Sequence, residues 1–157
     1  MYCKKFKLNS LEATKYIAIN LYKHSKCGDL FALYGDIGVG KSTFVRYFIN
    51  TAARQSYIPS PSFNIYFKYQ SPKGPIYHMD AWRIENEEEV INLGVLDSLK
   101  ESIFLVEWAE NIETFLPTNK LKIKIDYYNS FRTLTLSGDK SWGKRLDKTF
   151  SRVKIEK

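Results

Sequence analysis

The chain has 157 residues, of which 44% are hydrophobic and 26% charged, and its formal net charge is +7. This length and balance are typical of one folded domain with a real core, and no apolar run is long enough for a membrane-spanning helix. The N-terminal residues 1–7 lack the apolar run of a secretory signal. Two isolated cysteines, Cys3 and Cys27, favour reduced thiols. We therefore expect a cytoplasmic protein with no membrane partner.

Positive charge is concentrated at the two ends of the chain. Residues 1–30 contain six lysines against two acidic residues, and residues 138–157 contain seven lysines and arginines against three acidic residues. The segment between them is nearly neutral. Basic ends of this kind favour contact with a polyanion such as RNA, but an ordinary solvated surface and tail explain them equally well.

The first half of the chain predicts two helices around a buried strand. An amphipathic helix begins after Ser10, continues through spaced apolar residues, and ends at Cys27–Gly28. The run LFALY at residues 30–34 is continuously apolar, which is typical of a strand buried on both faces. A glycine-rich loop follows, and residues 41–54 predict the second helix.

The second half is dominated by predicted strands. They lie at residues 63–70, 76–83, 102–108, 121–128 and 131–137. The turn at 71–75 joins the first two in a hairpin, and Asn129–Ser130 joins the last two. Asn86 is the predicted N-cap of a short helix with three glutamates in its first turn.

These elements together indicate one α/β domain. We expect three layers around a mixed parallel and antiparallel sheet. The domain is assigned to residues 1–137. The basic residues 138–157 are interpreted as an extension of unknown role, weakly patterned and at most a frayed helix.

The loop GDIGVGKS at residues 35–42 fits the pattern GxxxxGK[ST] without a gap. It follows a buried strand and opens a helix, the context in which this pattern forms a P-loop that binds a nucleoside triphosphate. Glycines let the backbone N–H groups approach the phosphates, and the helix N-terminus adds more donors. Lys41 supplies a positive charge to the β- and γ-phosphates and Ser42 a hydroxyl for Mg²⁺. The predicted nucleotide-binding residues here are Gly35, Gly38, Val39, Gly40, Lys41, Ser42 and Thr43, with ATP and Mg²⁺ as ligands.

Two carboxylates follow apolar strands and are candidates for the chemistry of hydrolysis. Glu107 ends the run Ile103–Val106, where a buried strand delivers an acid beside the phosphates as an oxygen ligand for Mg²⁺. The alternative is an acid that marks the exit of the strand into solvent. Asp80 either orients a water molecule or holds a metal-bound one, or is a hydrogen-bonded loop aspartate. Asp80 and Lys41 are the predicted catalytic residues.

Several neighbouring residues are candidates for a nucleotide switch. Ser60 and Ser62 lie in the proline-braced loop IPSPSF after the P-loop helix, and either hydroxyl is placed to reach the γ-phosphate or Mg²⁺. The alternative is an ordinary connection. His78 is either a base or a packed histidine, and Arg83 either pairs with a carboxylate or senses the γ-phosphate. Trp108 is interpreted as packing, with stacking on adenine as the alternative.

The segments GDIGVGKSTFVR, SPSF, YHMDAWR and LVEW occur in an order and spacing that resemble the bacterial TsaE family. The resemblance runs from about Ser10 to Leu136. It implies a P-loop ATPase that needs Mg²⁺ and works with the TsaB and TsaD proteins to make threonylcarbamoyladenosine in tRNA. By this resemblance Ser42 and Glu107 are the magnesium residues, Asp80 is linked to hydrolysis, and Arg132 lies near the nucleotide.

The resemblance also implies that ATP turnover by the isolated chain is low and depends on the partner proteins. Contact with tRNA is expected to be indirect or through the basic ends. Three residues depart from the pattern of the family: Ser42 and Ser62 replace threonines and keep the hydroxyl, and Trp82 replaces a tyrosine.

Two other functions remain compatible with parts of the sequence. A small P-loop kinase acting on a metabolite shares the phosphate-binding loop, but it usually has an arginine-rich lid, and residues 84–120 contain no arginine. An RNA-binding module without a nucleotide accounts for the basic ends and leaves the loop unexplained.

Overall fold

The computed structural model describes residues 1–151 and forms one seven-stranded sheet with helices on both faces. Residues 152–157 of the predicted extension lie outside the described residues. The strands are β1 (Tyr2–Leu8), β2 (Leu30–Tyr34), β3 (Tyr66–Tyr69), β4 (Ile76–Asp80), β5 (Ile103–Glu107), β6 (Leu121–Tyr128) and β7 (Phe131–Gly138). The α-helices are α1 (Leu11–Lys23), α2 (Lys41–Ala53), α3 (Glu87–Leu93) and α4 (Lys140–Thr149). Two 3-10 helices span Val95–Glu101 and Ala109–Phe115.

The sheet has the strand order β1-β7-β6-β2-β5-β4-β3 and a parallel centre. Strand β2 pairs in parallel with β5 and β6, and β5 pairs in parallel with β4. The outer pairs β1–β7, β6–β7 and β3–β4 are antiparallel. The expected mixed sheet is thus confirmed.

Strand β2 shows why a continuous apolar run specifies the central strand. Phe31 and Leu33 point into the core beneath α1, α2 and α4, whereas Leu30 and Ala32 point into the second core beneath α3 and the 3-10 helices. All four are almost fully buried. Because successive side chains alternate between the faces, a strand with helices on both sides needs apolar residues at every position. The three-layer arrangement is confirmed.

The predicted helix starts agree with the observed caps. The Ser10 hydroxyl accepts a hydrogen bond from the backbone N–H of Ala13, and the Asn86 side chain accepts one from Glu89. Each of these side chains supplies an acceptor for a backbone N–H group that has none within the first helical turn.

The hairpin of β3 and β4 is confirmed, but the prediction that its first strand begins at residue 63 is wrong. The strand begins at Tyr66, since Ile65 has a φ of +66° and residues 62–64 form a turn. A positive φ is unusual for a β-branched residue and is incompatible with extended backbone. Phe63, the first residue of the predicted strand, is 84% exposed. The N-terminal strand β1 was not predicted, because its alternation is masked by lysines.

The segment after residue 137 is a capped helix rather than a frayed one. Asp139 accepts hydrogen bonds from the backbone N–H groups of Ser141 and Trp142. Trp142, Leu146 and Phe150 are buried in the same core as β1 and β7. The indole N–H of Trp142 also donates to the carbonyl of Asn119 at 2.6 Å. Residues 140–150 therefore share the core of the domain. No helix within residues 1–151 is long and apolar enough to cross a membrane.

Replacing Trp142 by alanine tests this packing. Removing a buried tryptophan leaves a cavity, so we expect the free energy of unfolding to fall by about 3–5 kcal/mol. The matched control is Lys144→Ala on the exposed side of the same helix, for which a change below about 0.5 kcal/mol is expected. Urea denaturation measures both. Equal midpoints for the two variants would show that α4 does not belong to the core.

Candidate functional site

The glycine-rich loop connects the carboxyl end of β2 to the first turn of α2. Gly35 has a φ of +132°, and a Cβ atom there would lie 2.3 Å from the carbonyl oxygen of Ile125 in β6. Gly40 has a φ of +116° and occupies the N-cap of α2. Both positions therefore require glycine: the first for close packing on the sheet, and the second for a backbone conformation that other residues rarely adopt.

The loop lines a small cleft of about 180 Å³. Its walls are Ile37, Gly38, Gly40, Lys41, Ser42, Thr43, Glu107 and Trp108. The first backbone N–H groups of a helix have no acceptor within the helix, so those of α2 are available to a ligand in this cleft. Val39 is buried, which leaves only its backbone for such a contact. The structure thus brings together the predicted loop residues, Glu107 and Trp108.

Lys41 is buried over the loop that it follows. Its ammonium group donates to the carbonyl oxygens of Gly35 and, at 2.9 Å, of Asp36. The same nitrogen lies 3.7 Å from the ring centroid of Trp108. Burial lowers the pKa of Lys41, while the nearby carboxylate of Glu107 opposes this shift. An anionic ligand in the cleft would add to the effect of the carboxylate and stabilise the charged form.

Glu107 is the centre of the polar groups at this edge of the sheet. One of its carboxylate oxygens accepts a hydrogen bond from the Ser42 hydroxyl at 2.7 Å, and the other lies 2.8 Å from Nε2 of His78. Glu107 is 2% exposed and does not mark an exit into solvent. The hydroxyl and the carboxylate are both oxygen ligands of the kind that Mg²⁺ prefers, so this pair fits a magnesium ion bound with a triphosphate.

Asp80 lies next to Glu107 in the register of β4 and β5. Its carboxylate accepts hydrogen bonds from the Ser62 hydroxyl at 2.7 Å and from the backbone N–H of Trp82 at 2.9 Å. The hydroxyl oxygens of Ser60 and Ser62 are 2.8 Å apart. The IPSPSF loop is therefore connected to the carboxyl end of the sheet through Asp80.

The other candidates lie at the rim of the site. The Trp82 and Trp108 rings pack on each other, with centroids 4.3 Å apart. Arg83 lies over the exposed ring of Phe63 at 4.5 Å, so the structure places it against an aromatic ring and not against a carboxylate. Trp108 has a φ of +56°, which turns the chain sharply after Glu107.

Tyr127 is a site residue that the sequence analysis missed. Its hydroxyl donates to the carbonyl of Gly38 at 3.0 Å and accepts from the Arg132 guanidinium at 3.3 Å. Arg132 is thereby joined to the P-loop through one intervening side chain and does not line the cleft itself. Leu121, Ile123 and Ile125 alternate along β6, and this alternation places Tyr127 on the same face as the loop. The sequence pattern could therefore have predicted that Tyr127 faces the site.

Comparison with known proteins agrees with this geometry. The model of the family described as "Threonylcarbamoyl adenosine biosynthesis protein TsaE" matches residues 8–139. A protein of Haemophilus influenzae named tRNA threonylcarbamoyladenosine biosynthesis protein TsaE is 31% identical over 87% of each chain. The protein of the same name from Bacillus subtilis is 38% identical over 77% of this chain and 76% of its own.

A solved structure shows the same fold. The crystal structure of Bacillus subtilis YdiB superposes with a TM-score of 0.77 at 30% identity, covering 96% of this chain and 95% of that one. The glycine-rich loop between β2 and α2 and the carboxylates at the ends of β4 and β5 lie within the residues that the family model matches. The chain is therefore a member of the TsaE family.

Proposed function

We propose that this chain is the ATP-binding, Mg²⁺-dependent ATPase subunit that supports threonylcarbamoyladenosine modification of tRNA, acting in the cytoplasm with TsaB and TsaD proteins. The observation that carries the ATPase assignment is the contact between the Ser42 hydroxyl and the Glu107 carboxylate at the mouth of the P-loop. The link to tRNA modification is supported by family membership and by the names of the relatives.

In this proposal, different residues of the site bind the phosphates and the metal ion. Backbone N–H groups of residues 38–43 and the Lys41 ammonium group hold the phosphates, and Ser42 and Glu107 hold the metal ion. Mg²⁺, when bound, neutralises charge that develops on the phosphate oxygens. His78 fixes the orientation of Glu107 from the side away from Ser42, because it binds the other carboxylate oxygen.

Asp80 is placed to orient an attacking water molecule. Its carboxylate lies one strand from Glu107 and already accepts two hydrogen bonds, which hold it in a fixed position. A change in the Ser62 loop would alter one of those two bonds directly. We infer that turnover is slow in the isolated chain and faster with partners because of this loop, whose Ser62 hydroxyl bonds Asp80 directly and whose position partners could change.

Reconstitution tests this function as a whole. The purified chain should hydrolyse ATP slowly alone and faster when TsaB and TsaD from the same organism are added. In the same mixture, repeated formation of threonylcarbamoyladenosine on unmodified tRNA should require the chain and ATP. ATP-dependent phosphorylation of a small metabolite, with no effect on tRNA modification, would overturn the proposal in favour of a kinase.

Lys41→Ala should weaken ATP binding by about 10- to 150-fold, because one or two charge-assisted hydrogen bonds to phosphate are lost. Isothermal titration calorimetry measures the dissociation constant. Lys15→Ala, which removes an exposed lysine from α1, is the matched control and should bind like the unmodified chain. Unchanged binding by Lys41→Ala would exclude the P-loop as the nucleotide site.

Glu107→Gln should weaken ATP binding in the presence of Mg²⁺ and leave binding in EDTA almost unchanged. Glutamine keeps the shape of the side chain but removes the negative charge that attracts the metal. Glu101→Gln, which changes an exposed carboxylate at the opposite end of β5, is the control and should change neither value. If Glu107→Gln loses the same factor with and without Mg²⁺, the carboxylate has no role in binding the metal.

A further inference from the structure

The outer side of β1, β7 and β6 is a sheet face that the helices leave open. Helices α1, α2 and α4 pack on the opposite side, and α3 with the 3-10 helices packs against the core beneath β2, β4 and β5. Within residues 1–151, no α-helix covers the outward side chains of these three strands, and the 3-10 helix Ala109–Phe115 reaches their border, where Glu113 pairs with Lys122. We call this surface the open face; it consists of Lys5, Lys7, Lys122, Lys124, Asp126, Tyr128, Phe131, Thr133 and Thr135.

The strand register arranges these residues in rows. Lys5, Thr135 and Lys124 lie opposite one another across the three strands, and the next row contains Lys7, Thr133 and Asp126. Rows repeat every second residue, about 7 Å apart along the strands. Lysines from the N-terminal segment and from the middle of the chain thus meet on one surface, although about 115 residues separate them in sequence.

The charge of the open face is positive. Lys122 and Lys124 form ion pairs with Glu113 and Asp126 at 2.8 and 3.3 Å. Lys5 and Lys7 are exposed and, among the described residues, have no acidic partner, so they carry the excess charge. A groove of about 790 Å³ runs beside them along β1. The surface is therefore complementary to a chain of negative charges.

One end of the open face is aromatic. The rings of Tyr128 and Phe131 are a register pair with centroids 5.3 Å apart, and Tyr128 is 55% exposed. The ammonium group of Lys7 lies 4.5 Å from the centroid of Phe131. Exposed rings beside lysines on an open sheet are the combination on which unpaired bases stack while the phosphates follow the cations.

We propose that the open face binds a single-stranded segment of RNA, with phosphates on Lys5 and Lys7 and a base on Tyr128. The partly exposed hydroxyl of Thr135, between Lys5 and Lys124, supplies a hydrogen-bond partner for a sugar or phosphate oxygen. An acidic peptide would use the lysines but would leave the two rings without a stacking partner, so the surface favours RNA. The choice of RNA rests in part on the proposed function, because the relatives are named for tRNA modification.

The electrostatic part is tested with a fluorescein-labelled 12-nucleotide oligouridine and the full chain, by fluorescence anisotropy at several salt concentrations. The double variant Lys5→Ala/Lys7→Ala should reduce the slope of log K against log salt by about 1.4, since each phosphate contact on a single strand contributes about 0.7. The control Lys15→Ala/Lys26→Ala removes the same charge from the region of α1 and should keep the slope of the unmodified chain. Equal slopes for the two double variants would overturn the proposal.

The stacking part separates RNA from other polyanions. Tyr128→Ala should weaken oligouridine binding by about 5- to 150-fold, the loss expected for one stacked base, whereas Tyr128→Phe should keep it. Tyr16→Ala on α1 is the exposed control. The assignment to RNA would be overturned if Tyr128→Ala bound oligouridine as tightly as the unmodified chain and if polyglutamate displaced oligouridine as well as unlabelled oligouridine does.

ATP binding measured in the same variants distinguishes the two proposals. Lys5, Lys7 and Tyr128 lie on the opposite side of the sheet from α2, so we expect the variants of these three residues to bind ATP like the unmodified chain. Loss of RNA binding with normal ATP binding supports the open face. Normal ATP binding with no oligouridine binding by the unmodified chain at 50 mM salt would overturn the open face and leave the proposed ATPase intact.

Discussion

The parallel register of β2, β5 and β4 is the constraint on which the site depends. Leu33 lies opposite Glu107, and Glu107 lies opposite Asp80, so the carboxyl ends of three strands meet at one edge. The P-loop leaves β2 at this edge and turns into α2. A register shift of one residue would turn the Glu107 side chain to the other face, away from Ser42 and His78. Since β2 and β5 are apolar on both faces, packing alone does not exclude such a shift, and the hydrogen bonds of the two carboxylates contribute to the register.

The site concentrates buried polar and ionisable side chains, and hydrogen bonds stabilise most of them. Lys41, His78, Asp80 and Glu107 are each no more than 6% exposed, and Nδ1 of His78 has no hydrogen-bond partner among the described residues. A buried charge without partners is strongly unfavourable, yet both carboxylates accept two hydrogen bonds and the ammonium group donates to two carbonyls. A ligand that separates Ser42 from Glu107 must replace their bond with contacts of similar strength. Hard oxygen ligands and a divalent cation meet this requirement, whereas an apolar ligand does not.

Local sequence patterns predicted the central strand and its loop better than the start of β3 and the C-terminal helix α4. A few neighbouring residues were enough to predict the buried strand at 30–34, the loop after it, and the helix starts at Ser10 and Asn86. The start of β3 was wrong because the positive φ of Ile65 is set by tertiary contacts, including the hydrogen bond from the Asp80 N–H to the Ile65 carbonyl. Helix α4 was underestimated although Trp142, Leu146 and Phe150 recur every fourth residue, a helical spacing, because the many basic residues between them give the segment a low average hydrophobicity. The pairing of His78 with Glu107 and of Tyr127 with Gly38 depends on register between strands, which no local pattern contains.

The β6–β7 hairpin connects the two surfaces for which functions are proposed. Tyr127 and Arg132 project from one side toward the P-loop, whereas their neighbours Tyr128 and Phe131 project from the other side into the open face. Adjacent residues of a strand point to opposite faces, so a rigid hairpin relates the positions of the two sets. A nucleotide that alters the Gly38 contact acts on the same backbone that holds the stacking pair. Coupling between the two surfaces therefore requires a second arrangement of this hairpin that both ligands distinguish, and by linkage any such effect on binding is equal in both directions.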